Sequence, residues 1–96
     1  MQNQLNVIIT FQHFSEKPEL QFAATALNLF NQIGPFDILP GHANLISTIH
    51  TKIVIRTADR QTKEIEFAQG VLEVTGNVVK IFLEEDSAKL PPQNTA

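Results

Sequence analysis

Polar and apolar residues alternate along most of this chain with a period of two. Leu5, Val7, Ile9 and Phe11 are separated by Asn6, Ile8 and Thr10, which places one set on one face of a strand. Breakers fall at residues 13–19, 31–44 and 58–62, at Gly70 and at Gly76-Asn77. The Gly76-Asn77 pair, lying between two apolar runs, predicts a two-residue hairpin. Counting outward sets Thr75 against Val78, Val74 against Val79, Glu73 against Lys80 and Leu72 against Ile81. Apolar residues then meet on one face and an opposite-charge pair meets on the other. Leu72, Val74, Val79 and Ile81 are expected to be buried, and Glu73 and Lys80 exposed.

The same count works one hairpin earlier. With residues 58–62 as the loop, Arg56 faces Glu64, Ile55 faces Ile65 and Ile53 faces Phe67. This makes two consecutive hairpins. Glu64 and Glu66 then lie on a solvated outer face, and Val54 lies there too, where an apolar residue has no folding role unless another strand covers it. One segment is ambiguous. In LQFAATALNLF, residues 20–30, the positions Leu20, Ala24, Leu27 and Phe30 have helical spacing and the alanines favour a helix. The pattern tips towards helix, although a strand buried on both faces fits equally. After Leu83 the pattern lapses into Glu84, Glu85 and Asp86 and then a stretch with Pro91 and Pro92, which reads as a frayed tail. The expected organisation is one domain over residues 1–84 and a flexible tail over 85–96.

Composition narrows the function. The 96 residues are 43% hydrophobic and 18% charged, which suits a single folded domain. No apolar run approaches the ~18 residues of a membrane span. The formal charge is −3 with no basic patch, which argues against a nucleic-acid partner. There is no cysteine, so disulfides, thiolate metal sites and cysteine nucleophiles are excluded. The opening residues lack the basic and apolar regions of a signal peptide. Without Trp or Tyr, the seven Phe are the whole aromatic set, which leaves little for stacking on sugars or bases.

Candidate chemistry is sparse. His13, His42 and His50 match no metal-ligand spacing, so no metal is expected. No G-x-S-x-G elbow accompanies Ser15, Ser47 or Ser87, and the scattered glycines build no phosphate-cradling loop. Neither catalytic residues nor a cofactor are expected. The unusual stretch is NQIGPFDILPGHAN, residues 31–44, where two prolines and two glycines preclude a regular element. Its Ile33, Phe36, Ile38 and Leu39 are nonetheless too apolar for a solvated loop. It reads either as a structured corner plugging one end of a sandwich or as a loop docked against a partner.

Here the chain resembles a known family. FDILPGHANLIS, residues 36–47, is similar to the run G-E-F-G-I-L-P-G-H-A-P-L-L-T of the epsilon subunit of F-type ATP synthases. FAQGVLEVTGNVVKIFL, residues 67–83, resembles that family's S-G-G-x-L-E-V-x-x-N-x-V-x-V-L. LNVIIT, residues 5–10, fits its first strand. The resemblance extends over residues 5–83 and implies an all-β fold, a small antiparallel β-sandwich of about ten short strands. It makes residues 20–30 a strand, against the helical spacing.

The resemblance also implies a role. The family's domain sits at the foot of the rotor, holds the gamma subunit and touches the ring of c subunits, with no catalytic residues of its own. It implies a gamma-subunit interface at His42, Leu45 and Ser47, and a c-ring-facing loop at Asn31, Gln32, Ile33, Gly34 and Pro35. It implies a peripheral position at the cytoplasmic face of a bacterial plasma membrane, without direct membrane insertion. This chain departs from the pattern in places. Phe30-Asn31 stands where the family usually has Pro-Gly, Pro35 where it has an acidic residue, Asp37 where it has Gly, and Gln69 where it has the first Gly of S-G-G. Residues 14–18 lengthen the first hairpin. Only thirteen residues follow Leu83, so the long C-terminal helical hairpin that inhibits ATP hydrolysis in many members is not expected. The competing reading is a stand-alone β-sandwich that binds a small ligand.

Overall fold

A computed structural model describes residues 4–11 and 19–84, so His13 and the expected tail lie outside the described residues. Six strands form the fold: β1 (Leu5–Phe11), β2 (Leu20–Phe30), β3 (Pro35–Ile38), β4 (Leu45–Thr57), β5 (Thr62–Thr75) and β6 (Val78–Glu84). No helix occurs among the described residues. The strand order is β1-β6-β5-β4-β2-β3, and an added β1–β2 pairing curls the sheet round on itself. All pairings are antiparallel except β1–β6, which is parallel and sets Val7 beside Val79 and Ile9 beside Ile81. The all-β sandwich is as expected, with fewer and longer strands. β4 and β5 run 13 and 14 residues, and each would count as two if divided at its irregularity.

The interior is filled from every strand. Leu5, Val7 and Ile9 of β1 meet Leu27 and Leu29 of β2, Ile38 of β3, Ile53 and Ile55 of β4, Leu72 and Val74 of β5, and Val79, Ile81 and Leu83 of β6. Each such aliphatic side chain contributes about 1.5–3 kcal/mol on burial. The β5–β6 hairpin has the register counted from the sequence, from Thr75 opposite Val78 through Leu72 opposite Ile81. Leu72, Val74, Val79 and Ile81 are buried, Lys80 is exposed and Glu73 is half-buried. Gly76 takes φ 60 at the first position of the turn, the geometry a type II′ hairpin asks of glycine.

Residues 20–30 are a strand, and the structure explains why they mimic a helix. The pairing of β2 with β4 shifts between Ala24 and Ala26. One extra residue there changes the phase of the alternation. Leu20, Phe22 and Ala24 turn inward before it, and Leu27 and Leu29 after it. Two strand segments out of phase read as helical spacing.

The β4–β5 hairpin corrects the expected register by two residues. Arg56 lies opposite Thr62, Ile55 opposite Lys63 and Ile53 opposite Ile65. The loop is shorter than expected. Arg60 N–H bonds Thr57 O at 3.0 Å, Thr57 N–H bonds Gln61 O at 2.8 Å, and Arg60 takes φ 72. This is a turn followed by one left-handed residue, a common three-residue connection. A slip of two leaves every side chain on its own face, so the apolar pattern could not distinguish the registers. The charge pairing found is diagonal, Lys52 Nζ to Glu64 at 3.1 Å.

Candidate partner-binding surface

β5 carries a second phase change. His50 lies opposite Gln69 and Thr51 opposite Phe67, so Ala68 has no partner. On one side of this bulge Ile65 and Phe67 face inward, and on the other Gly70, Leu72 and Val74 do. Gly70 is required there. A Cβ would lie 2.6 Å from the Phe82 carbonyl oxygen and 2.9 Å from a Leu83 methyl.

Between this bulge and the Gly76-Asn77 turn, the outer face of β4, β5 and β6 carries apolar residues beside one charged row, in which Ile46 lies opposite Glu73 and Glu73 opposite Lys80. Thr48 lies opposite Val71, and Val71 opposite Phe82. Ile46, one pleat along, is 73% exposed and Val71 is 39% exposed. Single exposed apolar residues are ordinary, but these three form a strip across adjacent strands. His50, Gln69 and Glu84 border it, and Gln69 Nε2 donates to Glu84 at 2.9 Å. Gln32, reaching over from the β2–β3 loop, joins Thr48, His50, Gln69, Val71 and Phe82 around an open groove of about 330 Å³.

The residues singled out from the sequence fall into two places. His42 is in the turn Leu39-Pro40-Gly41-His42, closed by His42 N–H to Leu39 O at 3.0 Å. Pro at the second position and Gly41 at φ 85 at the third make it a type II turn. The corner is laced to the β5–β6 turn. Gly41 N–H donates to Asn77 Oδ1 at 2.8 Å, and Gly76 N–H donates to Asn44 Oδ1 at 3.0 Å. His42 is half-buried, with Nδ1 donating to the Ala43 carbonyl at 2.7 Å. Leu45 packs against the core, while its neighbour Ile46 points outward.

The second place is the β2–β3 hairpin. Asn31 and Gly34 exchange backbone bonds of 3.0 and 3.1 Å, and Asn31 Oδ1 accepts from the Ile33 amide at 2.9 Å. Ile33 at the tip is 96% exposed, Gln32 and Pro35 are exposed, and no residue from Asn31 to Pro35 is charged. Ser47 belongs with this loop as much as with His42, because its Oγ accepts from Asn31 Nδ2 at 3.4 Å. Ile46 was missed in the sequence, although a signal existed. Leu45 and Ile46 are adjacent in a strand, so one of them must face outward. Val54 is half-buried between Asn28 of β2 and Glu64 of β5, so flanking strands partly cover it. Among the described residues, no three His, Asp or Glu side chains cluster as a metal site would require.

No curated protein sequence matches the chain. Among solved structures, it is similar to a chain of the Euglena gracilis mitochondrial ATP synthase in its OSCP/F1/c-ring assembly, with a TM-score of 0.76, 16% identity and 86% of this chain covered. It spans only 52% of that relative. It is also similar to a chain of the Tetrahymena thermophila mitochondrial ATP synthase central stalk and c-ring, with a TM-score of 0.70 and 11% identity, covering 99% of this chain and 75% of that one. At such identities the likeness concerns the fold. The family model for the β-sandwich domain of the ATP synthase delta/epsilon chain matches residues 16–87, and the chain belongs to that family.

Proposed function

We propose that this chain is a non-catalytic central-stalk subunit of a rotary F-type ATP synthase. It holds the gamma subunit, meets the c ring and couples ion translocation to ATP synthesis and hydrolysis. Its station is the cytoplasmic face of a bacterial plasma membrane, as a peripheral subunit. No helix among the described residues is long and apolar enough to cross a membrane.

The observation that carries this reading is the outward strip of Ile46, Val71 and Phe82 on a domain of the delta/epsilon family. Torque is transmitted by a surface that does not slip, and such a surface needs an apolar centre and a polar rim. The strip supplies the centre. Thr48, His50 and Gln69 supply rim donors and acceptors, and Glu73 and Lys80, in the row of Ile46, supply rim charges. On this reading gamma covers the strip. The hairpin of Asn31, Gln32, Ile33, Gly34 and Pro35 faces the c ring and makes an uncharged contact there, because Pro35 replaces the family's acidic residue.

The test is co-purification with the cognate gamma subunit and c ring. Retention of the wild-type chain and loss of Ile46→Asp from gamma are expected. A wild-type chain that binds neither partner rejects the proposal.

A further inference from the structure

The backbone ladder between β2 and β4 runs from Ala24 opposite Thr57 to Asn28 opposite Val54. Beyond it, side chains join the hairpin tip to β4, Asn31 to Ser47 and His50 to Asn31. His50 Nε2 lies 3.2 Å from the backbone carbonyl oxygen of Asn31. A carbonyl only accepts, so this nitrogen carries the hydrogen. His50 Nδ1 lies 2.7 Å from Thr51 Oγ1, and a hydroxyl can donate to it.

Thr51 has φ 78, in the left-handed region that a β-branched residue rarely enters. It sits at the register shift of β4 against β5. Irregularities of this kind re-aim a neighbouring side chain. Here the re-aimed side chain is His50, and its target is the one residue that organises the tip. The Asn31 carbonyl also receives the Gly34 amide, and Asn31 Oδ1 receives the amides of Ile33 and Gly34.

We propose that His50 is a positioning residue for the β2–β3 hairpin. Its Nε2–H clamps the Asn31 carbonyl across the end of the β2–β4 ladder and holds Gln32 and Ile33 in a fixed orientation to the outer face of β4–β6. A tip ordered in advance meets a partner without the cost of being ordered on contact. That consequence for the ring contact rests on the proposed function, whereas the clamp itself does not.

The clamp is tested on the isolated chain. Nitrogen NMR of the wild type should show His50 in the Nε2-protonated tautomer, and a neutral ring protonated on Nδ1 overturns the proposal without any mutation. Amide exchange at Ile33 and Gly34 should quicken roughly fivefold in His50→Ala, the effect of losing one hydrogen bond. The amides of Val74 and Val79 should not change. His50→Gln, whose side-chain amide can donate to the same carbonyl, should recover most of the protection. Unchanged tip exchange in His50→Ala, or quickening shared equally with Val74 and Val79, overturns it. In reconstituted rotors, His50→Ala should lose ring contact and His50→Gln should recover it. A wild-type chain that joins neither partner would defeat the proposed function and leave the exchange result standing.

Discussion

The same two strands, β4 and β5, present opposite outer surfaces on either side of the irregularity at His50 and Thr51. Towards the β4–β5 turn the outer face carries Lys52, Arg56, Glu64 and Glu66 around a half-buried Val54, and the Lys52–Glu64 ion pair is open to solvent. Towards the Gly76-Asn77 turn the outer face carries Ile46 and Val71 beside Phe82 of β6, with Glu73 and Lys80 in the row of Ile46. The inner faces do not differ in this way, since Ile53 and Ile55 in one half and Leu72 and Val74 in the other are all buried. Folding therefore treats the two halves alike and only the outside distinguishes them. One half is built for water. The other exposes apolar area that the isolated domain does not need, as a surface completed by a partner does.

The largest expected effect should not distinguish the halves. Ile55→Ala and Leu72→Ala should each lower stability by about 2–5 kcal/mol in denaturant unfolding, because both leave cavities among fully buried neighbours. A much smaller loss at either site would mean that half of the core is loosely packed. Next comes Gly70→Ala. Its added methyl meets the Phe82 carbonyl at 2.6 Å, and the strands must part at an expected cost of about 1–3 kcal/mol. An unchanged unfolding midpoint would contradict the close β5–β6 approach.

The outer faces should then diverge. Ile46→Asp, which sets a carboxylate opposite Glu73, should lower stability by about 1 kcal/mol and weaken gamma binding by at least about tenfold. Glu64→Lys, on the charged half, should leave gamma binding within about twofold. Equal effects at both positions would erase the comparison. The smallest effect belongs to Lys52→Ala. The pair it breaks is 35% and 50% exposed at its two ends, so thermal unfolding should register no more than about 0.5 kcal/mol.

The parts of the fold legible in the sequence were those where two independent signals agreed. At the β5–β6 hairpin, Gly76-Asn77 fixed the turn while the alternation fixed the faces, and the register followed. At β4–β5 only the alternation was available. The charge match of Arg56 with Glu64 suggested the wrong one of two registers that differ by two residues. The phase changes at Ala24/Ala26 and at Ala68 insert a single residue with no sequence mark, and the first of them made a strand resemble a helix. The residues singled out from the sequence fall in separate places in the structure. Gln32 of the loop from Asn31 to Pro35 lines the outer-face groove, whereas His42 lies in the corner tied to the β5–β6 turn, Ser47 bonds Asn31, Leu45 serves the core and Ile46 faces out. The joining of Ser47 and His50 to Asn31 depends on the bend in β4, which spacing alone does not encode.

The central claim is that the half of the outer face bearing Ile46, Val71 and Phe82 is the gamma-binding surface of a rotor subunit. Calorimetric titration of the folded chain with the cognate gamma subunit tests it most directly, with Ile46→Asp and Glu64→Lys measured in parallel. The account predicts one-to-one binding by the wild type, near-normal binding by Glu64→Lys and weakening of at least about tenfold by Ile46→Asp. Wild-type affinity in a folded Ile46→Asp chain, or no binding by the wild type, would contradict it.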